Sequence, residues 1–150
     1  MLYLNCGLIS HAQIVKEIKL PELQKMINTA DDTTRIFNFW FIGCKPCVKE
    51  MPYFEEVNQK YKDKKVKVIF VHCSELEDLD KVAYFVEKKK IKAQVVKLSE
   101  NNPNYWIPRI DKSWQGSTPA TIFINHQKKK RLFFEKPFTL AELEQIINNF

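Results

Sequence analysis

The chain contains very little glycine and cysteine. Only three of its 150 residues are Gly, which leaves no room for the usual glycine-rich loops that hold phosphate groups. Four cysteines are too few to staple a chain of this length through disulfides. No stretch approaches the roughly 20 apolar residues of a transmembrane helix. These shortages argue against a nucleotide-binding loop, a disulfide scaffold and a membrane-spanning helix.

The composition is that of one globular domain with an aromatic core. Hydrophobic residues make up 45% and charged residues 28% of the chain, with eleven Phe and five Tyr. The net charge of +6 comes largely from lysine-rich runs at residues 88–90 and 128–131. Neither run is interleaved with aromatic residues as nucleic-acid-binding surfaces are. We therefore expect solvated surfaces and no nucleic-acid partner.

The first residues resemble the end of an export signal. Residues 1–12 are apolar and close on a small-x-small sequence, which would leave Gln13 as the mature N-terminus. The basic start of such signals is missing, since no Lys or Arg precedes Lys16, so we interpret the segment as a truncated remnant. An ordinary N-terminal strand is one alternative, and a lipoprotein site at Cys6 is a weaker one.

Hydrophobic periodicity predicts alternating strands and helices. We expect an N-terminal extension over residues 13–30 and a single domain over residues 31–150. The order β-α-β-α-β, hairpin, helix indicates an α/β fold: a central mixed sheet with helices on both faces and a C-terminal hairpin plus helix. The predicted strands are 15–20, 35–41, 65–71, 93–98, 119–125 and 130–134.

Helix starts are predicted from capping boxes. Ser74 with Glu77, and Thr139 with Glu142, have the spacing of an N-cap residue and its acidic partner. Residues 101–117, between the last two core strands, are expected to form a long loop with at most one helical turn.

The most informative motif is a C-x-x-C that directly follows a predicted buried strand. Cys44 should lie at a helix N-terminus, where free backbone N–H groups and the helix dipole lower a thiol pKa. Cys47 lies about one helical turn on, close enough to bond to it. Lys45 adds a positive charge beside the thiolate, and Pro46 suits the first helical turn. This arrangement predicts thiol-disulfide chemistry at the pair.

A C-x-x-C has two other common uses. It could be half of a zinc site, but His72 and Cys73 are neighbours on a predicted strand and point to opposite faces. It could be a structural disulfide, but so short a loop removes little unfolded-state entropy. We expect no metal and no cofactor, and an inert core thiol at Cys73.

The motif and its surroundings resemble the TlpA/ResA-like branch of the thioredoxin superfamily. The similar residues are N-F-W at 38–40, C-x-P-C at 44–47 and K-E-M-P at 49–52, and the resemblance extends over residues 31–150. It implies a thioredoxin fold. It also implies that Pro119 is a cis-proline and that the Thr118 backbone pairs with an extended substrate peptide. Thr118, Pro119 and Trp40 are therefore the expected substrate-binding residues. A trans proline at a strand start is the alternative.

The resemblance also implies an acidic proton acceptor near the buried cysteine. Classical thioredoxins have an Asp where this chain has Asn38, which cannot accept a proton in this way. Glu75, just after the next strand, is the residue we expect to titrate with Cys47. The alternative is that Glu75 only favours a helix dipole. Gly43 replaces the Trp that commonly precedes the first cysteine, which affects substrate preference more than chemistry.

By resemblance, the protein is expected to reduce disulfides in cysteine-containing envelope proteins such as apocytochrome c. A membrane thiol carrier would re-reduce it, and it would act as a monomer in the periplasm or envelope. A membrane tether stays open. So do two rival functions: a disulfide-donating oxidase on the same fold, and a metal-binding or client-binding module without enzymatic activity.

Overall fold

The computed structural model describes residues 12–150, so the predicted signal remnant lies almost entirely outside the described residues. This part of the chain contains six strands and five α-helices. None of these helices has both the length and the apolar character needed to cross a bilayer. The strands are β1 Lys16–Ile18, β2 Thr34–Trp40, β3 Val66–His72, β4 Gln94–Leu98, β5 Ala120–Asn125 and β6 Lys130–Phe134. The helices are α1 Leu20–Ile27, α2 Lys45–Lys60, α3 Leu79–Lys88, α4 Pro103–Ile110 and α5 Leu140–Asn148.

The strands form one mixed sheet in the order β1-β4-β3-β2-β5-β6. The first four are parallel, β5 runs antiparallel to β2, and β6 completes a hairpin with β5. This is the predicted α/β thioredoxin-like architecture with its C-terminal hairpin and helix. The extension joins the same sheet, because β1 pairs with β4. The central position of β2 places the residues after Trp40 at the middle of the sheet edge.

Each face of the sheet has its own hydrophobic core. Side chains alternate along β2, so that Ile36 and Trp40 face one core while Phe37 and Phe39 face the other. Helices α2, α3 and α5 cover the first face, and α1 and α4 cover the second. Fully burying one such large side chain contributes roughly 1.5–3 kcal/mol. The two cores together fix β2, and with it the start of α2.

The helix starts agree with prediction in one case and differ in another. Thr139 and Glu142 form the predicted capping box of α5. The box predicted from Ser74 and Glu77 was wrong, because α3 begins later and Asp78 is its N-cap, accepting the Lys81 N–H at 2.8 Å. The predicted long loop also contains a helix, α4, which is longer than the single turn expected.

Candidate active site

The C-x-x-C lies where β2 leads into α2. After Trp40, a three-residue loop reaches Cys44, which has extended backbone angles and is the N-cap of α2. Cys44 and Cys47 form a disulfide with sulfurs 2.02 Å apart. Cys44 keeps 6% of its surface exposed and Cys47 none. An external thiol or disulfide can therefore reach Cys44 but not Cys47.

The segment around Pro119 packs against Cys44, although it lies 74 residues further along the chain. The Thr118–Pro119 peptide bond is cis, as the family resemblance implies. The Thr118 hydroxyl donates a hydrogen bond to Cys44 Sγ at 3.5 Å, and its carbonyl oxygen lies 3.7 Å from the same sulfur. Pro119 is buried and Thr118 is half-buried, so Thr118 is the accessible residue of the two. The structure brings these two predicted residues to the reactive sulfur.

A buried carboxyl group lies on the same helix as the cysteines, at Glu50. Residues 47 and 50 are three apart on α2 and share a helix face. Glu50 is 2% exposed and accepts hydrogen bonds from Asn38 Nδ2 at 2.9 Å and from the Phe138 N–H at 2.7 Å. Burial raises the pKa of Glu50 to about 7 against the opposing effect of these bonds. A carboxyl with this pKa can give or accept a proton at neutral pH.

The structure does not support the expectation for Glu75. Its side chain is exposed on the turn after β3 and lines a shallow cleft that also contains Leu76 and Thr118 but neither member of the cysteine pair. A proton acceptor for the buried Cys47 has to be near it and shielded from water. Glu50 meets the second requirement and shares a helix face with Cys47. The sequence signal that could have found it was the spacing of three residues after Cys47, together with Asn38 as its buried partner.

The expectation for Trp40 as a substrate-binding residue is also corrected. Trp40 is completely buried, with its ring 5.3 Å from the rings of His72 and Phe85, so a substrate cannot touch it. Lys45 and Pro46 are both exposed beside the disulfide, where they can affect the thiolate and its access.

The loop before Cys44 is held by the carboxylate of Glu77, for which the sequence predicts only a role in a helix capping box. Glu77 accepts the Ile42 N–H at 2.9 Å and the Gly43 N–H at 3.1 Å. Its Oε2 also lies 2.5 Å from Nε2 of His72, whose side chain is fully buried. A Cβ at position 43 would be 3.2 Å from the Phe41 ring, so Gly43 fits where a larger residue would crowd that ring.

Other groups near the site are less reactive. Burial raises the pKa of the Cys73 thiol to about 12, so this thiol stays protonated at neutral pH. Among residues 12–150, no three His, Cys, Asp or Glu side chains gather closely enough to hold a metal ion. The reactive groups of this site are the Cys44–Cys47 pair, with one accessible and one buried sulfur, and the buried carboxyl of Glu50 on the same helix.

Comparison with known proteins agrees with this geometry. The family model described as Redoxin matches residues 13–105, well over half of the chain. The chain belongs to the Redoxin family. Among curated proteins, this redoxin is 52% identical over 40 residues to a thiol-disulfide oxidoreductase ResA of Bacillus cereus, covering 27% of this chain and 23% of that protein. It is 27% identical over 137 residues to ResA of Oceanobacillus iheyensis, covering 91% of this chain and 66% of that protein.

The redoxin also resembles solved structures in its fold. A secreted disulfide oxidoreductase of Mycobacterium tuberculosis superposes with a TM-score of 0.61 at 18% identity, covering 80% of this chain and 84% of that one. The resemblance to the TlpA/ResA-like branch is confirmed by the ResA matches. This chain spans about a quarter of the first of these curated relatives and about two thirds of the other.

Proposed function

We propose that this redoxin is a thiol-disulfide oxidoreductase that reduces disulfides in exported, cysteine-containing proteins. The observation that carries the proposal is the Cys44–Cys47 disulfide at the start of α2, with the accessible sulfur against Thr118 and the other sulfur buried. The ResA relatives carry the same activity in their names.

The proposed reaction uses the two cysteines in sequence. The Cys44 thiolate attacks a substrate disulfide, forms a Cys44–substrate disulfide and releases one substrate thiolate, which takes up a proton. Cys47 then loses its proton, and its thiolate attacks the Cys44 sulfur. The Cys44–Cys47 disulfide forms, and the second substrate sulfur leaves as a thiolate that is protonated in turn. Two electrons pass from the protein to the substrate, and an external dithiol must restore the reduced pair.

The neighbouring groups have separate parts in this scheme. The N-terminus of α2 and Lys45 stabilise the Cys44 thiolate. Glu50, in place of Glu75, accepts the proton of Cys47 when that thiol attacks. Thr118 binds the backbone of an extended substrate segment beside Cys44. The buried Pro119 holds Thr118 in that position.

The proposed setting is outside the cytoplasm. The apolar start of the chain, the ResA resemblance and the secreted M. tuberculosis structural relative support export. There the substrates are envelope proteins and the electron donor is a membrane thiol carrier.

Trapping the mixed disulfide tests the proposed reaction. A Cys47→Ser variant cannot resolve the intermediate, so it should accumulate a covalent adduct with a disulfide-bonded peptide. A Cys44→Ser variant, whose remaining cysteine is buried, is the matched control and should form none. Adducts through Cys47 alone, or no adduct with either variant, would contradict the mechanism. Mass spectrometry after alkylation of free thiols reads the result.

A further inference from the structure

The backbone just before Cys44 is bound by a side chain from a distant part of the chain. Glu77 lies 35 residues after Ile42, on the turn between β3 and α3, and its two carboxylate oxygens accept the N–H groups of Ile42 and Gly43 separately. Cys44 itself donates its N–H to the Phe41 carbonyl at 3.1 Å. All three residues before α2 are thus held by hydrogen bonds. These hydrogen bonds hold the loop that presents the reactive cysteine.

The carboxylate is in turn held by a buried histidine. His72 is the last residue of β3 and is 0% exposed, with its ring edge against Trp40 on β2 and Lys97 opposite it on β4. Within the described residues its Nδ1 has no hydrogen-bond partner. A second N–H there would be buried without an acceptor, so the single imidazole hydrogen is best placed on Nε2, which donates to Glu77.

The charge of this pair follows from its surroundings. Burial lowers the pKa of His72, against the opposing effect of the hydrogen bond to Glu77. Burial alone would raise the pKa of Glu77. The hydrogen bonds from His72 and from the Ile42 and Gly43 N–H groups lower it by more, so the net shift of the Glu77 pKa is downward. At neutral pH the pair is therefore a neutral imidazole and a carboxylate. One fixed negative charge lies next to the residue that precedes Cys44.

We propose that Glu77, held by His72, is a positioning residue that fixes the loop before Cys44 and makes the Cys44–Cys47 couple more reducing. A carboxylate bound to the backbone of the residue before Cys44 disfavours a second negative charge on the Cys44 sulfur. A less stable thiolate means a less stable reduced form and a stronger reductant, the opposite of an oxidant whose reduced form is stabilised. This inference rests on the proposed function.

The test compares Glu77→Gln with Asp80→Asn. Both remove one negative charge from the same region, but Asp80 is exposed in the first turn of α3, whereas Glu77 binds the loop. In glutathione buffers, Glu77→Gln should shift the dithiol-disulfide equilibrium about tenfold toward the dithiol, about 30 mV for a two-electron couple. Thiolate absorbance should report a lower Cys44 pKa. Asp80→Asn should stay within about twofold of the wild type.

Amide hydrogen exchange provides a readout that does not depend on redox activity. The Ile42 and Gly43 amides should be protected in the wild type and exchange at least about tenfold faster in Glu77→Gln. If Glu77→Gln does not fold, His72→Gln and His72→Leu replace it. Gln keeps an N–H donor for Glu77 and should behave as the wild type, whereas Leu should loosen the loop and shift the equilibrium in the same direction as Glu77→Gln.

Unchanged redox equilibrium and unchanged amide exchange in a folded Glu77→Gln variant would overturn the inference, as would a shift toward the disulfide. A wild type with no reversible transition would instead overturn the proposed function together with the redox role. The exchange rates of the two amides would then still decide whether Glu77 fixes the loop.

Discussion

At the scale of single residues, the site depends on which acids are buried. Three Glu residues matter here, at positions 50, 75 and 77. The sequence predicts a proton acceptor at the exposed Glu75 and a helix cap at Glu77, and it assigns no role to the buried Glu50. Glu50 is on a helix face with Cys47, and Asn38 donates to it from β2. Replacement of the usual strand Asp by Asn38 was recognised from the sequence. Asn38 on β2 donates a hydrogen bond to Glu50 on α2. This contact depends on how the helix packs on the sheet, which cannot be read from the sequence.

The assignment of Glu50 predicts a change in pH dependence. Glu50→Gln removes the group with a pKa of about 7, so the rate at which Cys47 resolves a mixed disulfide should lose its inflection near that pH. The rate should also fall by roughly tenfold to a hundredfold at neutral pH, because the thiol has lost its proton acceptor. Stopped-flow measurement of the resolution step between about pH 5 and about pH 9 reads both effects.

Glu75→Gln is the matched control for this experiment. It removes the same charge from an exposed position and should leave the pH profile unchanged. If Glu75→Gln abolished the inflection while Glu50→Gln kept it, the sequence-based assignment would be restored.

At the scale of elements, the boundaries around the site were predicted unevenly. The start of α2 at the C-x-x-C follows from local sequence, because Cys44, Pro46 and the apolar spacing after them all indicate it. The start of α3 was placed too early, because Glu77 matched a capping pattern but is bound to the loop before Cys44. A motif can thus fit a local rule while its side chain serves a tertiary contact.

The corrected start of α3 predicts the effect of two alanine substitutions. Asp78→Ala removes the side chain that accepts the Lys81 N–H and should lower the free energy of unfolding by roughly 1 kcal/mol. Ser74→Ala removes only a hydrogen bond from the Leu76 N–H at 3.2 Å within the turn and should cost less than about half of that. Urea denaturation of both variants gives the comparison. A larger loss for Ser74→Ala would place the N-cap where the sequence first suggested it.

At the scale of the whole molecule, the order of strands and helices along the chain and the covering of both sheet faces could be predicted because their causes are local and periodic. Apolar alternation and β-branched runs gave the strands, and the alternation of strands with helices gave the layers. The contacts across the end of the sheet, such as that of Thr118 with Cys44, could be predicted only from the family resemblance. They join residues 74 positions apart, and no periodicity reports such a distance.

Burial of Glu50 also predicts how the stability of the whole molecule varies with pH. The folded pKa of about 7 lies above the ordinary value of 4.5, so the folded protein binds this proton more tightly than the unfolded chain. The stabilisation is full below pH 4.5 and is lost as the pH rises through about 7. The free energy of unfolding of the wild type should therefore fall over this range, and that of Glu50→Gln should fall less. Parallel curves from urea titrations at several pH values would contradict the prediction.

The central claim is that Cys44 and Cys47 form a reversible redox couple, and its reduction potential is the most direct measurement. The protein is equilibrated in thiol-disulfide buffers of known poise, free thiols are alkylated, and the mass gives the fraction reduced. For a reductase we expect one two-electron transition at the thioredoxin end of the range, at about −270 mV. A transition at about −120 mV would keep the chemistry but make the protein an oxidant. If no disulfide between Cys44 and Cys47 formed at any poise, the pair would not be a redox couple and the proposed function would be wrong.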